Sequence, residues 1–81
     1  MKKKLLMLGG ADIQVPAITM GRELGWRVIT CDYLPDNPGH ALADEYHNVS
    51  TTDLEGVLTL ARQLNVQGVS AYGSDPAALT A

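Results

Sequence analysis

The sequence predicts an α/β domain: a four-stranded parallel sheet, in strand order 3-2-1-4, layered between helices. Three observations carry this expectation. Leu5-Leu6-Met7-Leu8 is apolar on consecutive residues and not on alternate ones, the mark of a strand covered on both faces. That run ends in Gly9-Gly10, and a helical pattern begins just beyond it. Such a strand–turn–helix junction is where open parallel sheets bind their ligands. Strand-like and helix-like segments then alternate along the chain, and right-handed crossovers fold that alternation into one sheet.

With 81 residues the chain has room for one domain, spanning 1–81. An apolar fraction of 46% suits a globular fold and not a disordered one. The net charge of −3 comes from acids and bases mixed along the chain, with no basic stripe for nucleic acid and no membrane-binding patch. No apolar run approaches the length of a membrane span. Lys2-Lys3-Lys4 imitates the start of a signal peptide, but the apolar run after it stops at Leu8, too soon for one. Cys31 is the single cysteine, so no disulfide forms within the chain, which fits a reducing, cytoplasmic setting. In that setting the glycosylation pattern Asn48-Val49-Ser50 is chance.

Lys4–Leu8 is the first strand. The first helix is expected from about Ile13 to Leu24, with Ile13, Ala17, Met20 and Leu24 as one apolar stripe. Pro16 fits only a first turn, so the helix starts between Asp12 and Val15, with Asp12 as the favoured cap. Gly25 closes it. Arg27–Asp32 is the second strand, and Tyr33–Ala43 is turn chemistry in almost every residue, with room for one helical turn over His40–Asp44. Tyr46–Val49 is a short third strand, expected at a sheet edge. Thr52-Asp53-Leu54-Glu55 reads as a capping box, with Thr52 as the cap. Behind it Leu54, Val57, Leu58, Ala61 and Leu64 form an amphipathic stripe, and Asn65 is a plausible C-cap. Gly68–Tyr72 is the fourth strand, after which Asp75-Pro76 opens a further helix. A helix begun and not continued points to a piece of a longer protein.

Several residues invite a chemical reading. Gly9-Gly10 allows close backbone approach to an anion at the helix N-terminus, or simply a tight turn. A dinucleotide fingerprint needs glycines where Ala11 and Gln14 stand. Asp32 ends the second strand, where it could hold a ribose or cap a loop. Gln14 projects from the first helical turn. Asp75 faces the glycine loop across the switch point, as a substrate acceptor or as a helix cap. His40 and His47 lack metal-ligand spacing and are expected at the surface. Trp26, Tyr33, Tyr46 and Tyr72 are expected to pack. There is no serine elbow, no Cys/His nucleophile pair, no Walker lysine and no zinc spacing.

Taken in order, these segments resemble a known family. Leu5–Asp12 with Gln14-Val15-Pro16, Cys31-Asp32-Tyr33 with Pro35–Gly39, Ala43–Tyr46, Ser50–Asp53 and Ser74-Asp75-Pro76 together look like the Rossmann-like domain that precedes the ATP-grasp fold. The nearest subgroup resembles the carbamoyl-phosphate synthase large chain, with biotin carboxylases and the purine-pathway carboxylases and formyltransferases further off. The resemblance implies the substrate-side domain of an ATP-dependent carboxylate–amine or carboxylate–thiol ligase, not catalytic alone. ATP and Mg2+ are then held by later lobes of the parent protein, and the partners are those lobes and a small carboxylate or amine substrate. Carried over by position, Gly9, Gly10, Gln14 and Asp75 line the substrate wall and Asp32 anchors the loop beside it. Leu79 departs from the family pattern, which has proline there.

Two other readings stand beside this one. A free-standing nucleotide- or dinucleotide-binding Rossmann module rests on Gly9-Gly10 and Asp32. A receiver-like interaction domain lacks the acidic pair and the lysine its chemistry needs. Four strands with only two full helices also leave apolar sheet uncovered, so a homodimer is expected.

Overall fold

The computed structural model describes residues 3–70 of the chain. Its elements are β1 (Lys4–Leu8), a 3-10 turn (Asp12–Gln14), α1 (Val15–Glu23), β2 (Arg27–Cys31), α2 (Pro38–Leu42), β3 (Glu45–His47), α3 (Leu54–Leu64) and β4 (Gly68–Ser70). The strands form one parallel sheet in the order β3-β2-β1-β4, as expected. Leu6 lies between Ile29 and Val69, and Thr30 lies beside Tyr46.

The consecutive apolar residues of β1 split between two cores because side chains alternate across a strand. Leu6 and Leu8 join Ile29 and Cys31 under Val57 and Leu60 of α3. Met7 joins Val28 under Ile18 of α1. The sheet is therefore covered on both faces, with α1 on one and α3 on the other. Asn65, in the left-handed region at φ 54°, ends α3 as expected, and Gly25 at φ +88° follows α1.

The helix faces differ from the sequence reading. In α1 the buried residues are Ile18 and Gly21, while Ile13 and Met20 are each 56% exposed and Leu24 is 70% exposed. Ala17, Met20 and Leu24 of the expected stripe lie on the flank of α1, along a groove that includes Leu5, Met7 and Trp26, whereas Ile13 borders the cleft at the strand ends. Helix α1 rests on the sheet through Ile18 and Gly21, a contact line rotated away from Met20. In α3 Leu60 is buried, whereas Leu54 and Leu58 are largely exposed. Asp53, and not Thr52, caps α3, its carboxylate accepting from the Gly56 N–H at 3.0 Å. Thr52 bonds instead to Ser50. An ionised cap is favoured by the positive end of the helix dipole, which explains the choice. Asp12 caps nothing with its side chain; Ala11 precedes the 3-10 turn.

Smaller shifts follow from the same competition. The helical turn after β2 starts at Pro38, with proline in its first turn, and not at His40. The edge strand β3 begins at Glu45. Tyr33, expected to pack, is 63% exposed. The far part of the fourth strand, Tyr72, Asp75 and the helix start lie outside the described residues.

Candidate functional site

The carboxyl ends of β1 and β2 and the loop after β3 frame a cleft of about 220 Å³. Gly9, Ala11 and Gln14 line one part of it, Asp32, Leu34 and Asn37 another, and Thr51 contributes from the β3–α3 loop. This is the position at which open α/β sheets hold ligands.

The local backbone explains the glycines. Gly9 sits at φ +106°, which a side chain would strain, and its N–H donates to the Cys31 carbonyl at 2.8 Å. A Cβ on Gly10 would lie 2.4 Å from Cε1 of His40, so only glycine admits that ring. The Gly10 carbonyl accepts from the Gly39 N–H at 2.6 Å. The Gly10 N–H donates to Oδ2 of Asp32 at 3.0 Å. Both polar groups of Gly10 are thus engaged within the fold.

Asp32 is the hub. Its Oδ1 accepts from the Leu34 N–H at 2.8 Å and from Nε2 of His40 at 2.9 Å. Its Oδ2 accepts from Nδ2 of Asn37 at 2.8 Å as well as from Gly10. A carboxylate offers about four acceptor positions, and four donors meet this one. Burial pushes the Asp32 carboxyl upward, but the bonds from Asn37, His40 and Leu34 outweigh it and hold the group below the ordinary carboxylate range. The same surroundings act on the neighbouring thiol in the opposite sense: burial, then the Asp32 charge, push Cys31 up to about 12.

His40 corrects the sequence reading. Its side chain is 5% exposed, not a surface group. Nδ1 lies 2.7 Å from the Thr30 hydroxyl, and the ring centroid lies 3.9 Å from that of Tyr46. The Tyr46 hydroxyl in turn donates to the Asp32 carbonyl at 2.9 Å. Sequence reasoning passed over His40, Asn37 and Thr51. The available signal was Asn37-Pro38-Gly39-His40 behind a strand-ending aspartate. Pro38 starts a helix there, and Gly39 lets it approach the glycine loop.

Of the expected site residues, Gly9, Gln14 and Asp32 come together in the cleft, with the Gln14 amide packed against Gly9. Gly10 stands beside them but does not line it. Asp75 lies outside the described residues. His47 is apart, paired with Glu45 on β3. The ribose role for Asp32 is disfavoured, since its acceptor positions are filled. Nor does Asp32 fit a Mg2+ ion of an ATP complex, since Gly10, Leu34, Asn37 and His40 already occupy its oxygens. Among the described residues no group of three His, Cys, Asp or Glu side chains is placed to hold a metal ion. No described helix is long and apolar enough to cross a membrane.

The fold is that of the N-terminal domain of ATP-grasp ligases, and the resemblance read from the sequence holds. The chain is 33% identical over 60 residues to the formate-dependent phosphoribosylglycinamide formyltransferase of Synechococcus sp. (strain WH7803), a match covering 74% of this chain and 15% of that protein. Its structure is similar to phosphoribosylglycinamide synthetase from Anaerococcus prevotii, with a TM-score of 0.86 and 26% identity over 99% of this chain and 21% of that one. N5-carboxyaminoimidazole ribonucleotide synthetase from Thermotoga maritima shares the fold, with a TM-score of 0.80 and 22% identity over 96% of this chain and 21% of that one. No family model matches. The chain thus spans about a fifth or less of each of these relatives. They are purine-pathway enzymes, the group the sequence resemblance set further off, and they do not single out the carbamoyl-phosphate synthase subgroup.

Proposed function

We propose that this chain is the substrate-side N-terminal domain of an ATP-dependent carboxylate–amine or carboxylate–thiol ligase, inactive when isolated. One observation carries the reading. The Gly9 and Gly10 N–H groups are both engaged within the fold, and Asp32 beneath them is saturated, so neither glycine N–H nor that carboxylate is offered to a nucleotide. ATP and Mg2+ are held by other parts of the parent protein. The wall consists of Gly9 and Gln14 with Asp75; Gly10 stands behind it, and Asp32 anchors it. The names of the relatives favour an amine-bearing phosphoribosyl compound as substrate over a carbamoyl-phosphate synthase-like one. Cys31 without a disulfide partner in the chain supports a cytoplasmic setting.

Isothermal titration of the chain with ATP and with NAD tests this. The expected outcome is no binding tighter than about millimolar for either. Micromolar binding of either nucleotide, abolished by Asp32→Ala, would establish the free-standing nucleotide module instead.

A further inference from the structure

We propose that His40 is the positioning residue of the cleft: it holds Asp32 in the one orientation from which its carboxylate pins both the glycine loop and the loop after β2. This rests on the cleft being the ligand-facing wall, but its test needs no ligand.

The ring is constrained from several directions. Nδ1 is 2.7 Å from the Thr30 hydroxyl, and Thr30 is fully buried in the middle strand region. Nε2 is 2.9 Å from Oδ1 of Asp32. Tyr46 lies against one face at 3.9 Å between centroids, and Gly10 leaves no space for a Cβ beside Cε1. The ionised carboxylate can only accept, so Nε2 carries the proton that faces it. The helix bearing the ring is itself tied down, because the Gly39 N–H donates to the Gly10 carbonyl.

The consequence is geometric. Asp32 serves donors from separate parts of the chain: Gly10 after β1, Leu34 and Asn37 after β2, and His40 on α2. Without the imidazole, Oδ1 keeps only the Leu34 amide, while Oδ2 keeps Gly10 and Asn37, so the carboxylate is held less firmly on its Oδ1 side. Gly10 and Leu34, both bonded to that carboxylate, then share a loosened anchor. A ring that merely filled space would be replaced by any side chain of similar volume.

Amide hydrogen exchange on the full chain separates these roles. His40→Leu fills the space without a donor, and His40→Gln fills it with one. In His40→Leu, exchange at Gly10 and Leu34 is expected to accelerate on the order of ten- to a hundredfold, with Val57 and Leu60 of α3 unchanged. His40→Gln should restore most of the protection. Wild-type exchange at Gly10 and Leu34 in His40→Leu would overturn the proposal, as would equal acceleration in α3. The wild-type chain supplies an independent check should the variants not fold: its imidazole 15N spectrum is expected to show the Nε2–H proton, and a ring protonated on Nδ1 alone would refute the assignment. Tight ATP binding in the calorimetry would overturn the function reading and leave these outcomes untouched.

Discussion

Four donors converge on the carboxylate of Asp32, and the chemistry of the cleft follows from that crowding. Hydrogen bonds to an ionised acceptor contribute about 1.5–3 kcal/mol each, and their partners become costly if left unpaired. Asp32→Asn replaces one acceptor oxygen by a donor facing donors. We expect it to cost about 2 kcal/mol or more, measured by urea unfolding at pH 7. The pH dependence has a definite sign. The folded Asp32 pKa lies below its unfolded value, so the stabilisation is complete above the unfolded value of about 4 and is lost as pH falls through the folded one. Glu45 acts in the same direction, since bonds from His47 and Arg27 hold its carboxyl low. Unfolding midpoints should therefore be level from pH 7 to about 5 and fall below about 4. Asp32→Asn should flatten part of that fall; an acid limb identical to wild type would remove Asp32 from the account.

Among the elements, α3 gives the cleanest test of how local rules compete. Thr52 satisfies the capping-box pattern, yet Asp53 accepts from Gly56 and sets the start of the helix. Asp53→Ala is expected to cost about 1 kcal/mol, and Thr52→Ala to stay within about 0.5 kcal/mol of wild type. Equal effects in thermal or urea unfolding would mean that the box is used after all. The helix stripes teach a related lesson. Periodicity in α1 marks Ile13, Met20 and Leu24, but the helix lies down on Ile18 and Gly21. A stripe read from sequence gives the apolar side of a helix to within about one residue's rotation, and the sheet beneath selects the contact line. In α3 that selection brought in Leu60 and turned Leu58 outward.

At the scale of the molecule, each face of the sheet carries a core, but apolar groups remain at the surface. Met20, Leu24, Leu5 and Trp26 flank a groove beside α1, and Val69 on the outer strand β4 is 40% exposed. Apolar surface of this kind on a small chain favours association. We expect the isolated chain to form a dimer, seen as a concentration-dependent mass in light scattering. Met20→Glu should weaken it if the α1 flank takes part, and a monomer at high concentration would exclude it.

The amino-acid order alone determined the number of strands, their parallel arrangement and their order, because consecutive apolar runs, glycine turns and right-handed crossovers leave few alternatives. It also marked Gly9, Gly10, Gln14 and Asp32 as neighbours of one loop system. The partners of those residues came only with tertiary structure. His40 reads as an ordinary polar residue in a turn-rich stretch, and nothing local reports that Thr30, Tyr46 and Gly10 enclose it. Nor does the sequence say that Asp32 is saturated, since its donors come from positions up to 22 residues away. The strand–glycine–helix junction says where a ligand wall lies. Whether its N–H groups face a ligand or an internal carboxylate depends on contacts between distant segments, which pattern and propensity do not encode.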